Sequence, residues 1–133
     1  MTEKELWKKM DEAIDNPNVM MATMEMAALL KQAYIEKLNL LCQVYYSADV
    51  PGMGFQGYLG NENERFLICF TNKEQAKKEK RGGTWDKMRA NDVLNNLFQK
   101  SSIAGLVFNC ADENRIMIVP KELLQEMIPN RTK

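Results

Sequence analysis

The chain contains no histidine. Histidine is the usual general base near neutral pH and the commonest metal ligand. Its absence removes Ser-His-Asp and Cys-His catalysis, and His-based zinc or iron sites with them. Any enzyme reading must run on carboxylates, Lys, Tyr or Cys. The three cysteines are Cys42, Cys69 and Cys110. None is spaced C-x-x-C, and each lies in or beside an apolar, strand-like run. That suits reduced core thiols in a reducing cytosol better than a disulfide framework or a zinc site. Cys110 follows a strand end, a common place for a nucleophile. Activating its thiolate would need Lys, Arg or a helix N-terminus, and the sequence shows no such constellation. Asp112 and Glu113 are adjacent, which suits a turn more than a fixed acid–base pair.

Three further patterns could carry binding. Gly52, Gly54 and Gly57 match G-x-G-x-x-G, whose glycines can let a backbone approach pyrophosphate at a helix N-terminus. The residues that follow do not open a helix, so the alternative is a flexible loop needing positive φ. Met20, Met21, Met24 and Met26 cluster on one segment. Thioethers bind Cu(I), but Met20 and Met24 fall on a different part of the helix from Met26. Met-rich surfaces also serve adaptable protein binding, and Met also fills cores. Part of this helix, with Trp7 nearby, is therefore a candidate exposed patch for a partner, set against plain core packing. Between Lys73 and Arg89, seven basic residues face three acidic ones around Trp85. Single-strand nucleic-acid sites combine such groups, but a solvated helix explains the run, and an acidic protein partner fits it better than nucleic acid.

The elements that must position these residues follow from periodicity. The chain has 133 residues, with 18 basic and 18 acidic side chains and therefore no formal net charge. That length predicts one domain over residues 1–133 with its own core. The charge balance gives no global pull toward nucleic acid or anionic membrane. Thr2 and Glu5 have capping-box spacing ahead of a first helix with Leu6, Met10, Ala13 and Ile14. Asn16-Pro17-Asn18 stops it. A second helix is expected over Val19 to Lys37, with an apolar arc broader than one stripe, either well buried or partly reserved for a partner. Leu40 to Tyr46 alternates as a strand. Residues 47–63 read as a loop with one short strand near Phe55 to Leu59. Arg65 to Phe70 is apolar on both faces and so central. Thr71 and Glu74 repeat the capping-box spacing and open a third helix. Thr84 to Met88 is weakly strand-like, and Asn91 can cap a helix over Asp92 to Lys100. Ile103 to Phe108 and Arg115 to Val119 predict an antiparallel hairpin, and Pro120 suits the start of a last helix. The expected architecture is α/β (α+β): one mixed sheet of about five strands with helices packed on it, ending in a hairpin and a helix. The N-terminus has no apolar core of a signal peptide, and the longest apolar run is broken by Glu25, so a cytoplasmic protein is expected.

Two motifs resemble a known family. Phe70-Thr71-Asn72-Lys73-Glu74-Gln75-Ala76 resembles the strand-to-helix signature F-T-[DNS]-x-E-x-A of SseB N-terminal-type domains. Gly105-Leu106-Val107-Phe108-Asn109 is similar to the same family's later G-[LV]-V-[LVF]-N. The order and spacing agree over roughly residues 5 to 128. Cys110 stands where the family tends to have Pro, a departure from the pattern at that turn. The resemblance implies a bacterial α/β domain with no established reaction, cofactor or catalytic residue. Phe70, Thr71, Glu74, Gly105 and Asn109 are then structural motif residues. Together these readings favour a non-catalytic interaction or regulatory module that binds another protein or itself, without cofactor or membrane. The alternative is a small-ligand-binding protein or His-independent enzyme using the loop at 52–57.

Overall fold

The computed structural model describes residues 1–46, 53–55, 57–59, 64–79 and 84–129. Among these stand five helices and seven strands of one mixed sheet. Their order is α1 (Glu3–Ala13), α2 (Val19–Glu36), β1 (Asn39–Tyr46), β2 (Met53–Phe55), β3 (Gly57–Leu59), β4 (Arg65–Phe70), α3 (Lys73–Lys78), β5 (Thr84–Arg89), α4 (Ala90–Gln99), β6 (Ile103–Phe108), β7 (Met117–Pro120) and α5 (Lys121–Met127). The closing β6–β7 pair is antiparallel and leads into α5, as the sequence predicts.

Local chemistry sets the helix ends. Thr2 Oγ1 accepts the Glu5 N–H at 3.1 Å and Glu5 Oε1 accepts the Thr2 N–H at 3.4 Å, a complete capping box. Asn18 caps α2 by accepting the Met21 N–H at 3.1 Å. Two starts differ from the sequence reading. α3 is capped by Asn72, whose Oδ1 accepts the Gln75 N–H at 2.9 Å, and not by Thr71 with Glu74. Thr71 is buried and bonded elsewhere, and Glu74 is exposed. α4 begins at Ala90 with no side-chain cap. Its first N–H donates to Leu38 O at 2.8 Å, while the Asn91 amide donates to Tyr34 O at 3.0 Å and ties α4 to α2.

Residues that pair on both edges fix the sheet order. Leu41 and Cys42 pair with β4 and with β5, so those strands flank β1 on opposite sides. Val44 pairs with Phe55 and with Thr84, so β2 shares the β4 edge of β1. Leu67 pairs with Gly57 and with Leu106, which places β3 and β6 on opposite edges of β4. The frame is therefore five strands, β5-β1-β4-β6-β7. β1 and β4 touch at one end and part at the other, and the short β2 and β3 fill the fork. Only β4 and β6 run parallel. The sequence suggested one short strand in that region; there are two.

Alternation along the strands makes two faces. Leu40, Cys42, Val44, Leu67, Leu106 and Phe108 join the buried sides of α1, α2, α4 and α5 in the larger core cluster. Leu41, Phe66, Ile68, Phe70 and Val107 lie on the other face with Ala76 of α3. Each fully buried Leu, Ile or Phe stabilises the fold by about 1.5–3 kcal/mol. Among the described residues no helix is long and apolar enough to cross a membrane.

Candidate interaction surface

The two motifs, 38 residues apart, meet at the carboxyl ends of the parallel strands. Thr71 follows β4 and Asn109 follows β6. The Thr71 N–H donates to Asn109 Oδ1 at 3.0 Å, and Asn109 Nδ2 donates to Thr71 Oγ1 at 3.0 Å. The Thr71 hydroxyl then donates to Asp11 of α1 at 2.8 Å, and Asn72 Nδ2 donates to the same oxygen at 2.9 Å. Asn109 is fully buried with φ 56°, left-handed geometry that Asn adopts more readily than most residues. Arg115 closes the cluster onto α1, contacting Asp11 at 2.9 Å and Asp15 at 3.0 Å. Burial works against its charge, but the two carboxylates outweigh this and raise its pKa. Gln75 Nε2 and Lys78 Nζ donate to Asp112, which holds that carboxyl down to about 2. This network ties α1, the β4–α3 turn and the β6–β7 loop together. Gly105 has a packing reason: a Cβ there would lie 2.4 Å from Val119 O. Phe70 is buried in the second core cluster. Sequence reasoning missed Asp11, Asp112 and Arg115 as partners, because nothing local links them to the motifs.

The candidate binding residues separate. Asn18 and Pro17 start α2 so that Ala22, Met26, Ala27, Leu30, Ala33 and Tyr34 face the core. The opposite side points to water; it is apolar over its first two turns, and Glu25, Lys31 and Gln32 are exposed beyond them. Met20 is 78% exposed, Met21 53%, Met24 46% and Ile35 61%. Val19 at the helix start is exposed as well. Met26 is fully buried, so it is removed from any surface: its position, four residues after Ala22 and four before Leu30, puts it on the core stripe. Trp7 is removed from the patch too. It is half-buried, packs against both core clusters, and donates its indole N–H to Asn39 O at 3.0 Å, while Lys87 sits 5.5 Å from its ring centre. Ile116 and Ile118 at the β7 edge are exposed, and with Ile14, Pro17 and Val19 they line a cleft of about 570 Å³. A second groove, about 700 Å³, runs between α1 and α2 past Ala13, Ala28 and Leu29. Outward-facing Ile116 and Ile118 are legible as an alternating strand, but not as neighbours of α2.

Among the described residues the other candidates assemble into no site. Gly54 and Gly57 occupy strand positions, paired with Tyr45 and Leu67, rather than a loop before a helix. A phosphate cradle needs free N–H groups at a helix N-terminus, and these two glycines stand in strands that do not lead into a helix. Gly52 lies outside the described residues. Lys87 pairs with Glu3 at 2.8 Å and Lys78 with Asp112 at 3.2 Å, so part of the basic run is neutralised. Trp85 packs on the second core cluster. Cys42 and Cys69 face each other across β1 and β4 with sulfurs 3.8 Å apart, and the Cys69 contact and burial push the Cys42 thiol well up. Cys110 is half-buried and donates to Glu79 at 2.9 Å. Among the described residues no three His, Cys, Asp or Glu side chains gather to hold a metal.

No family model, curated protein or solved structure matches this chain.

Proposed function

We propose that this chain is a cytoplasmic, non-catalytic protein-interaction module of the SseB N-terminal type, docking its partner on the outer face of α2. One observation carries the reading: Val19, Met20, Met21 and Met24 stand in water over the first two turns of a helix whose opposite side is fully engaged in the core. Contiguous apolar surface of this kind marks interaction sites more than isolated exposed residues do. Thioether side chains also adapt to varied contact shapes. The strand-end network supports a scaffolding role for the motif residues, since its groups bond to one another.

The test is a tagged bait in source-cell extract at moderate salt, wild type beside Met20→Lys/Met24→Lys, read by mass spectrometry. The reading expects a reproducible stoichiometric partner on wild type that the variant loses, with both baits melting at the same temperature. A partner retained equally by both would refute it.

A further inference from the structure

We propose that the groove between α1 and α2 receives a basic amphipathic helix from a partner protein; this rests on the interaction-module reading and names the partner's chemistry. The groove holds about 700 Å³, within the range of pockets that enclose bulky apolar groups. Its base is Ala13, buried, and Leu29, half-buried, and Ala28 forms part of its wall. Two alanines where larger residues would fill the space keep it open. An apolar floor between helices, edged by polar side chains, is how proteins seat the apolar stripe of a docked helix.

Charge selects the sign of the partner. Glu12, Asp15 and Glu25 line the groove against Lys9 and Met1, and the Met1 ammonium is taken up by Glu36. Glu12 lies in the last turn of α1, which carries no basic residue of its own. A helix C-terminus bears about half a negative charge, which a nearby cation relieves. The cation that reaches this end is Arg115, and it is shared between Asp11 and Asp15. Glu12 has Lys8 and Lys9 one turn before it on α1, whereas Glu25 has no basic residue within a turn on α2 and receives the Asn16 amide at 3.4 Å, so it adds negative charge to the dipole end. A docked helix with Lys or Arg beside its apolar stripe would complement both carboxylates, and complementarity of this kind discriminates among partners. The groove also adjoins the exposed methionine face, because Ala28 lies one and two turns beyond Met24 and Met21 on α2.

The test uses three fluorescein-labelled helical peptides, Leu/Lys, Leu/Gln and Leu/Glu in one amphipathic pattern, titrated with the full chain by anisotropy. The Leu/Lys peptide is expected to bind at least tenfold more tightly than the other two, and more weakly as salt rises. Glu12→Lys/Glu25→Lys should abolish or invert that preference. Ala28→Trp, which fills the groove from an exposed position, should weaken Leu/Lys binding at least tenfold with the thermal melt unchanged. Equal affinity for all three peptides, or absent Leu/Lys binding, would overturn the proposal. Binding lost in Met20→Lys/Met24→Lys but untouched by Ala28→Trp would overturn it too, placing the peptide on the outer face. If the bait experiment keeps its partner while the Leu/Lys peptide fails, only this inference falls. If the bait experiment fails as well, the module reading falls with it.

Discussion

Asn109 shows how a motif residue can be indispensable without chemistry. Its side chain accepts from the Thr71 N–H and donates to the Thr71 hydroxyl, both in the buried interior, while its own backbone is left-handed. Asn109→Ala leaves the Thr71 N–H without its acceptor and keeps a Cβ on a left-handed backbone without the polar side chain that makes this geometry tolerable. It should destabilise the fold by about 3 kcal/mol. Asn109→Gly loses the same bonds but not the backbone fit, so it should cost about 1 kcal/mol less. Urea titrations with equal slopes will measure both. Asp112 gives the pH signature of the same cluster. Gln75 and Lys78 hold its folded pKa near 2, below its unfolded value. Its contribution is therefore full above the unfolded pKa and disappears as pH falls through the folded one. Asp112→Asn should melt below wild type at neutral pH. The gap should stay level down to about pH 4 and close toward about pH 2. Thermal melts across that window check the sign; a gap that widens in acid would mean the charge is not what stabilises. At this scale the sequence was partly legible. Asn109 and Thr71 stand out as strand-end residues suited to turns and caps, but their bond to each other spans 38 positions and leaves no local trace.

At the scale of elements, α2 and β6 carry the argument. α2 has apolar residues on every side, so periodicity alone cannot say which side is core. The deciding feature is the row Ala22, Met26, Leu30 and Ala33, where two large residues stand between small ones on the buried side. Met26→Ala should cost about 2–5 kcal/mol. Met20→Gln and Met24→Gln should each shift stability by less than about 0.5 kcal/mol. Denaturant midpoints of the three variants separate the buried methionine from the exposed ones. Gly105 sits where β6 passes the end of β7, and Gly105→Ala drives its new Cβ toward Val119 O. Because that neighbour is backbone, relief requires the hairpin to move. The expected loss is about 1–3 kcal/mol, seen as a lower urea midpoint. The helices of this fold were readable from caps and spacing. The misplaced caps at Thr71 and Asn91 have one cause: a polar side chain near a helix start was taken by a distant partner, Asp11 in one case and Tyr34 O in the other.

At the scale of the whole molecule, the sheet forks. β1 pairs with β4 only at Leu41 and Cys42, and β2 and β3 occupy the space where the two strands part. Alternation reveals β1 as a strand, and a run apolar on both faces reveals β4 as a central one. Neither reveals that β5, which begins at Thr84 long after β1 ends at Tyr46, returns to its outer edge, because such pairing depends on non-local contacts. Four helices cover one face, and α2 is held among α1, α4, α5 and β7 with its outer side facing water. The central claim is that this outer side meets another protein. A photo-crosslinking residue placed at Met24 in source cells tests it most directly, with the same residue at Asp92, an exposed position on α4, as the control. The account predicts one discrete adduct from position 24 on irradiation and none from position 92. No adduct from position 24, or the same adducts from both positions, would contradict it.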